Sequence, residues 1–123
     1  MTRQGQPRRY PRTARINEVV LETLADEVER LSDPRLGFVT LTGVEVSPDL
    51  RHATVFYSVL GPEEQHEETE QALRRAGSHL RAVLGREVRL KYLPELRFRE
   101  DPAIAQGQRV EEIIREIHSQ DRA

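Results

Sequence analysis

The chain has 123 residues, 37% of them hydrophobic and 33% charged, with a formal net charge of −2. That is one domain's length of chain, and a charged fraction above the usual ~25% leaves one modest core under an ionic surface. The absence of cysteine excludes a disulfide scaffold, a thiol nucleophile and a thiolate zinc site.

Residues 1–13 form a basic arm. Gly5, Pro7 and Pro11 interrupt it and it has no apolar periodicity, so it is expected to be disordered. No apolar stretch follows the arm, so a secretory signal is not expected. Nor does any apolar run approach the ~18 residues of a membrane span.

A helix is predicted over 14–32, because Ile16, Val19, Val20, Leu24, Val28 and Leu31 repeat at helical spacing with only Glu27 breaking the stripe. Asp33 precedes Pro34 and stops it. Strands are predicted over 37–47 and 51–60. In the first, the apolar phase moves from Val39 and Leu41 to Val44 and Val46 across Gly43, which predicts a β-bulge. The second alternates Ala53, Val55, Tyr57 and Val59 against Thr54, Phe56 and Ser58. Ser47-Pro48-Asp49 supplies the turn of an antiparallel hairpin.

Pro62 opens a second helix with Glu63, Glu64 and Glu67 at its positive end. Its stripe is Leu73, Ala76, Leu80, Val83 and Leu84. Gly77-Ser78 inside the stripe predicts a kink, and Gly85 a C-cap. A third strand is predicted over 87–99, with Pro94 at a bulge or edge. Asp101-Pro102 reads as an N-cap and first-turn proline. Val110, Ile113, Ile114 and Ile117 make a last amphipathic helix after Gly107, and 119–123 are a tail. The predicted order is α-β-β-α-(kink)-α-β-α. That is an α+β domain over 14–118, with a small mixed three-stranded sheet and its helices on one face.

Charge is sorted along the chain. Residues 1–15 carry five Arg and no acid; 16–73 net −10, 74–99 net +6, and 100–123 net −3. Basic blocks of this kind suit a polyanion. Motifs for phosphate loops, nucleophile elbows and metalloproteases are missing, and His52, His66, His79 and His118 lack metal-ligand spacing. Asp33 with Arg35 reads as a turn with a local ion pair. Helix-dipole matching explains Arg74, Arg75, Arg81 and Arg86 but not Arg89, Lys91, Arg97 and Arg99, which the predicted strand puts on one face. Two successive elements presenting cations favour a groove that tracks phosphates.

Several segments together resemble the ribosome-binding factor A family. They are Arg15-Ile16, Asp33-Pro34-Arg35-Leu36-Gly37, the run Val39 to Leu50, and Ala53 and Val55. Later matches are Ala72-Leu73, Leu80-Arg81, Leu84-Gly85, Leu90, Pro94-Glu95-Leu96, Phe98, Asp101, Gly107 and Arg109. The likeness runs from residue 15 to about 118. It implies a type II KH-like domain that acts without catalysis or cofactor. It implies a cytoplasmic monomer that binds the free or immature 30S subunit and its 16S rRNA. The expected role is late maturation of that RNA, including its 5′-end and neck region, with most weight in the cold. In this family an Ala-x-Gly interruption stands where ordinary KH domains carry G-x-x-G. Here the place reads Ala76-Gly77-Ser78, with the glycine one residue early. A break there would expose backbone N–H groups to a phosphate. The expected RNA-binding residues are Arg15, Arg74, Arg75, Gly77, Ser78, Arg81, Arg86, Arg89, Lys91, Arg97 and Arg99. The competing reading is a protein-interaction module of another ribonucleoprotein assembly that does not touch RNA.

Overall fold

The computed structural model describes residues 13–103. The elements are α1 (Thr13–Arg30), a 3-10 turn (Pro34–Leu36), β1 (Phe38–Val46), β2 (His52–Leu60), α2 (Glu63–Glu87) and β3 (Glu95–Glu100). The expected helix after Gly107, the tail and all of the arm except Thr13 lie outside the described residues.

The sheet has the order β1-β2-β3, with β1 antiparallel to β2 and β3 parallel to β2. A parallel return needs a crossover, and α2 provides it. One sheet face carries Val39, Leu41, Val44 and Val46, Ala53, Val55, Tyr57 and Val59, and Leu96 and Phe98. This is the face that α1 and α2 cover with Val20, Leu24, Val28, Ala72, Leu73, Leu80 and Leu84. The strand parities therefore each have one cover layer, as the alternation requires. The opposite face is mostly polar and open: Glu45, Arg97 and Arg99 flank Thr54 and Phe56.

The phase slip at Gly43 is a bulge. Leu41 pairs with Tyr57 and Gly43 with Phe56, which leaves Thr42 as the extra residue. In the hairpin turn, Asp49 Oδ1 accepts from the Ser47 hydroxyl (2.6 Å) and from the Arg51 N–H (3.1 Å). These bonds hold the Asp49 carboxyl below its usual range, the Ser47 hydroxyl contributing most.

The stretch after α1 is fastened at two levels. Asp33 caps the 3-10 turn by accepting from the Arg35 N–H at 3.0 Å, and it pairs with the Arg35 guanidinium at 2.9 Å. Thr69 of α2, fully buried, donates to the Leu36 carbonyl at 2.9 Å, and Gln65 donates to the Arg35 carbonyl at 3.0 Å. Gly37 sits at φ 60°, and a Cβ there would lie 2.5 Å from the Gln65 side chain, so only glycine fits.

Three sequence expectations are corrected. First, α2 runs unbroken from Glu63 to Glu87, so no second helix starts at Gly77-Ser78. One glycine costs a helix about 1 kcal/mol. The buried stripe around it, with four side chains less than 2% exposed, outweighs that cost at ~1.5–3 kcal/mol each.

Second, Gly85 is not a C-cap. The helix passes it by two residues to a cap at Val88, and Leu93 packs over the glycine where a Cβ would stand 3.2 Å from Leu93 Cδ2.

Third, the strand expected over 87–99 begins only at Glu95. Residues 88–94 cross the end of α2, where Val88 and Leu90 still reach the core but make no ladder. Pro94 is buried and has no N–H to give.

Candidate nucleic-acid interface

Each basic residue expected to bind RNA can now be placed. Arg15 lies exposed on the first turn of α1. Arg74, Arg75 and Ser78 are exposed on α2, with Gly77 half-buried between them, and Arg86 is in the last turn. Arg89 and Lys91 are exposed in the connection to β3. Arg97 and Arg99 project from the outer face of β3. The one cationic strand face is therefore two groups, because Arg89 and Lys91 are not on the strand.

The structure brings Arg74, Gly77 and Arg97 together. They line a cleft of about 250 Å³ between α2 and β3, with Glu70, Leu96 and Phe98. The helix has no side chain at Gly77, and the Phe98 ring edge lies 3.9 Å from where a Cβ would be. The cleft thus has Leu96 and Phe98 as its apolar lining, with Arg74 contributed by α2 and Arg97 by the edge of β3. Glu70 Oε2 lies 3.6 Å from the Arg74 guanidinium, an exposed pair worth ~0–1 kcal/mol. In the core within reach of the Glu70 charge, burial pushes the Tyr57 phenol up to about 12, with the charges of Glu70 and Glu100 adding to the rise. It is a core residue, stays neutral and is not part of the cleft lining. A wider cleft of about 520 Å³ opens on the other side of Arg97, bounded by Thr13, Asn17, Ser47 and His52.

Arg81 has a different task from the one expected. Its Nε donates to the Pro94 carbonyl at 2.9 Å and its Nη2 to the Leu93 carbonyl at 2.8 Å. The guanidinium fork fixes the backbone entering β3 and so sets where Leu96 and Phe98 stand against α2. Arg75 lies within electrostatic reach of Asp33 rather than in the cleft. Arg15, Ser78, Arg86 and Arg99 do not line it.

Arg51 was missed in the sequence. Its guanidinium carbon sits 4.3 Å from the centre of the Tyr92 ring, and Lys91 Nζ is 5.6 Å from the same ring. An isolated Arg after a turn carried no signal, since the ring it covers is 41 positions away. Two of the histidines have structural partners, and His118 lies outside the described residues. His79 Nε2 bonds Glu27 Oε2 at 2.6 Å, which explains the acid in the apolar stripe of α1, and His66 Nδ1 bonds Glu100 Oε2 at 2.9 Å. Among the described residues, no group of three or more His, Asp or Glu could hold a metal ion, and no helix is long and apolar enough to cross a membrane.

The family model described as ribosome-binding factor A matches residues 12–114. A ribosome-binding factor A of Thioalkalivibrio sulfidiphilus is 43% identical over 118 residues, 95% of this chain and 92% of its own. That of Rubrobacter xylanophilus is 45% identical over 111 residues, 89% of this chain and 90% of its own. Among solved structures, the crystal structure of ribosome-binding factor A from Thermus thermophilus superimposes with a TM-score of 0.67 at 34% identity. It covers 74% of this chain and 97% of that one. A homology model of the Thermus thermophilus factor, fitted into the cryo-EM map of its complex with the 30S subunit, superimposes with a TM-score of 0.59 at 35% identity, covering 70% and 91%. With the mixed KH-like sheet and the cleft between α2 and β3 in place, these likenesses establish that the chain belongs to the ribosome-binding factor A family.

Proposed function

We propose that the protein is an assembly factor of the small ribosomal subunit, which binds immature 16S rRNA on the free or precursor 30S particle in the cytoplasm. It acts as a monomer, by binding and not by turnover, without a cofactor. Its role is to assist late maturation of the 5′-end and neck region, with the greatest need in the cold, where misfolded RNA helices escape slowly.

The observation that carries the reading is that Arg74 of α2 and Arg97 of β3 line one cleft with Gly77 and Phe98. Two guanidinium forks bordering one cleft suit the phosphates of a nucleic-acid backbone. The bare backbone at Gly77 allows close approach, and the apolar lining accepts a base face or ribose edge. The unbroken α2 frees no backbone N–H groups at Gly77, so the phosphate contacts come from side chains. The complex of the Thermus thermophilus factor with the 30S subunit supports the choice of partner.

The test is co-sedimentation of the full chain with precursor 30S and mature 70S particles, with cross-linking to RNA on the former. The expected result is retention on precursor 30S, cross-links to 16S rRNA, and loss of both in Arg74→Gln/Arg97→Gln. Retention with no RNA cross-link, unchanged in that variant, would favour a protein contact instead.

A further inference from the structure

Resting on the RNA-binding reading above, we propose a second RNA contact, distinct from the cleft between α2 and β3. Arg51, Lys91 and Tyr92 form it at the turn end of the sheet, and it takes the backbone and a base of a single strand leaving the cleft.

The cluster is assembled from two distant segments. Arg51 closes the β1–β2 turn, and its carbonyl accepts from the Glu95 N–H at 2.9 Å, which starts the pairing of β3 with β2. Tyr92 lies in the connection before β3, 38% exposed, with the Arg51 guanidinium 4.3 Å from its ring centre and the Lys91 ammonium at 5.6 Å. Two exposed cations therefore share one ring. The ring quadrupole attracts each of them and holds them in place, but it does not neutralise either.

Two acids stand near the cluster: Asp49 accepts from the Ser47 hydroxyl and the Arg51 N–H and lies within electrostatic reach of the Arg51 charge without pairing with its guanidinium, and Glu95 is turned towards His52. Glu95 Oε1 lies 3.8 Å from His52 Nδ1, a nitrogen that is buried without a hydrogen-bond partner. Among the described residues, no ion pair includes Arg51 or Lys91. The cluster thus has two cations outside any ion pair among the described residues, on an aromatic platform, the combination that suits a phosphate beside a stacked base. Lys91 reaches the ring as the chain neighbour of Tyr92; what the fold adds is Arg51, brought from 41 positions away to make the ring a two-cation platform.

Position makes it an extension of the first site. Arg97 lies two residues beyond Glu95 on β3, about 7 Å along the strand. Arg97 also borders the wider cleft reaching to His52, the residue after Arg51. A strand held by Arg74 and Arg97 that continues past Arg97 towards the start of β3 meets the Arg51–Tyr92 platform next.

The experiment is fluorescence anisotropy of the full chain on a labelled single-stranded 16S rRNA fragment across a salt series, with melting curves for each variant. Arg51→Gln/Lys91→Gln should lower the magnitude of the log–log salt slope by up to ~1.4, at ~0.7 for each phosphate no longer neutralised. Tyr92→Leu keeps both charges, so it should leave the slope nearly intact but weaken binding about fivefold; Tyr92→Phe should restore it. Arg74→Gln/Arg97→Gln is the independent arm. If that variant flattens the slope while the Arg51/Lys91 variant matches the parent, the second contact is overturned and the first site stands. If the parent shows no salt-dependent RNA binding, the RNA-binding reading falls and the second contact with it. If the Arg51/Lys91 variant loses retention on precursor 30S with an unchanged RNA slope, the cluster meets a protein and the proposal is equally overturned.

Discussion

Thr42 donates from its hydroxyl to Asp101 Oδ2 at 2.8 Å, joining the bulged residue of β1 to the residue that follows β3, with β2 lying between them in the sheet. The other carboxylate oxygen accepts from the Ala103 N–H at 3.0 Å, and the Asp101 N–H donates to the Tyr57 carbonyl at 2.7 Å. The bulge therefore has a task. In a regular strand the residue at 42 would pair with β2, and the slip instead leaves its side chain available to the far end of the sheet.

Thr42→Val should cost about 1–2 kcal/mol, because it keeps the shape but leaves a part-buried carboxylate oxygen without its donor. Asp101→Ala should cost more, since it also removes the cap on the Ala103 N–H. The double variant should cost less than the sum, as expected for two ends of one bond. Urea unfolding of the four proteins measures the cycle, and strict additivity would remove the coupling.

Gly77→Ala should stabilise α2 by up to ~1 kcal/mol, since the helix is unbroken there and the new methyl would rest in ordinary contact, 3.9 Å from Phe98. It should also weaken binding to precursor 30S particles, because the methyl enters the cleft lined by Arg74 and Arg97. Thermal melting and co-sedimentation on the same preparation read both effects. A variant that is more stable and binds as well as the parent would show that the bare backbone has no binding role.

Gly77 also shows where sequence patterns reach their limit. A glycine inside a helical stripe signals a break when local propensity decides, but here the burial of Leu73, Leu80, Val83 and Leu84 decides. The bulge at Gly43, the stop at Asp33-Pro34 and the cap at Asp101 were legible, because each rests on neighbours in the chain. The start of β3 was not. It depends on Arg81 gripping the Leu93 and Pro94 carbonyls and on Leu93 seated over Gly85, contacts that no alternation within 87–99 encodes. For the same reason, Arg74 and Arg97 could be named as basic residues from the sequence, but their sharing of one cleft with Gly77 could not be.

Arg81→Gln should therefore destabilise the fold by about 1–2 kcal/mol, despite the exposure of the residue, because a charged fork bonded to two carbonyls is lost. Lys91→Gln should leave the melting temperature unchanged, as an exposed cation with no ion pair among the described residues. Equal melting temperatures for the two variants would demote the Arg81 bonds to surface decoration.

His66 gives the stability a pH dependence. Its Nδ1 faces Glu100 Oε2 at 2.9 Å and its Nε2 faces the Gly61 carbonyl at 3.1 Å, and only the imidazolium can donate to both. Burial pulls its pKa down, but the Glu100 hydrogen bond and charge, the Gly61 carbonyl and Glu63 together hold it above the usual 6.5. A raised folded value means that the stabilisation is complete below about 6.5 and is lost as pH climbs through the folded value. Urea midpoints should thus fall in the parent as pH rises above about 6.5. His66→Gln should flatten that part of the profile. A parent profile that rises across this window would reverse the assignment.

The cleft itself is tested by salt. If Arg74 and Arg97 each neutralise a phosphate of a single strand, their joint loss should reduce the slope magnitude by up to ~1.4. The loss should be similar across RNA sequences, because a guanidinium on a phosphate reads no base. Stability should change little, since Arg74 has only an exposed pair with Glu70 and Arg97 no ion pair among the described residues. Glu67→Gln/Glu68→Gln is the control. Both acids are exposed on α2 away from the cleft lining, and their removal should not weaken binding. Anisotropy on a 16S rRNA fragment from low to high salt, with melting curves alongside, measures all of these. A folded Arg74→Gln/Arg97→Gln protein whose slope equals the parent's would mean that RNA does not enter between α2 and β3. The two arginines would then be ordinary surface charges beside an apolar notch.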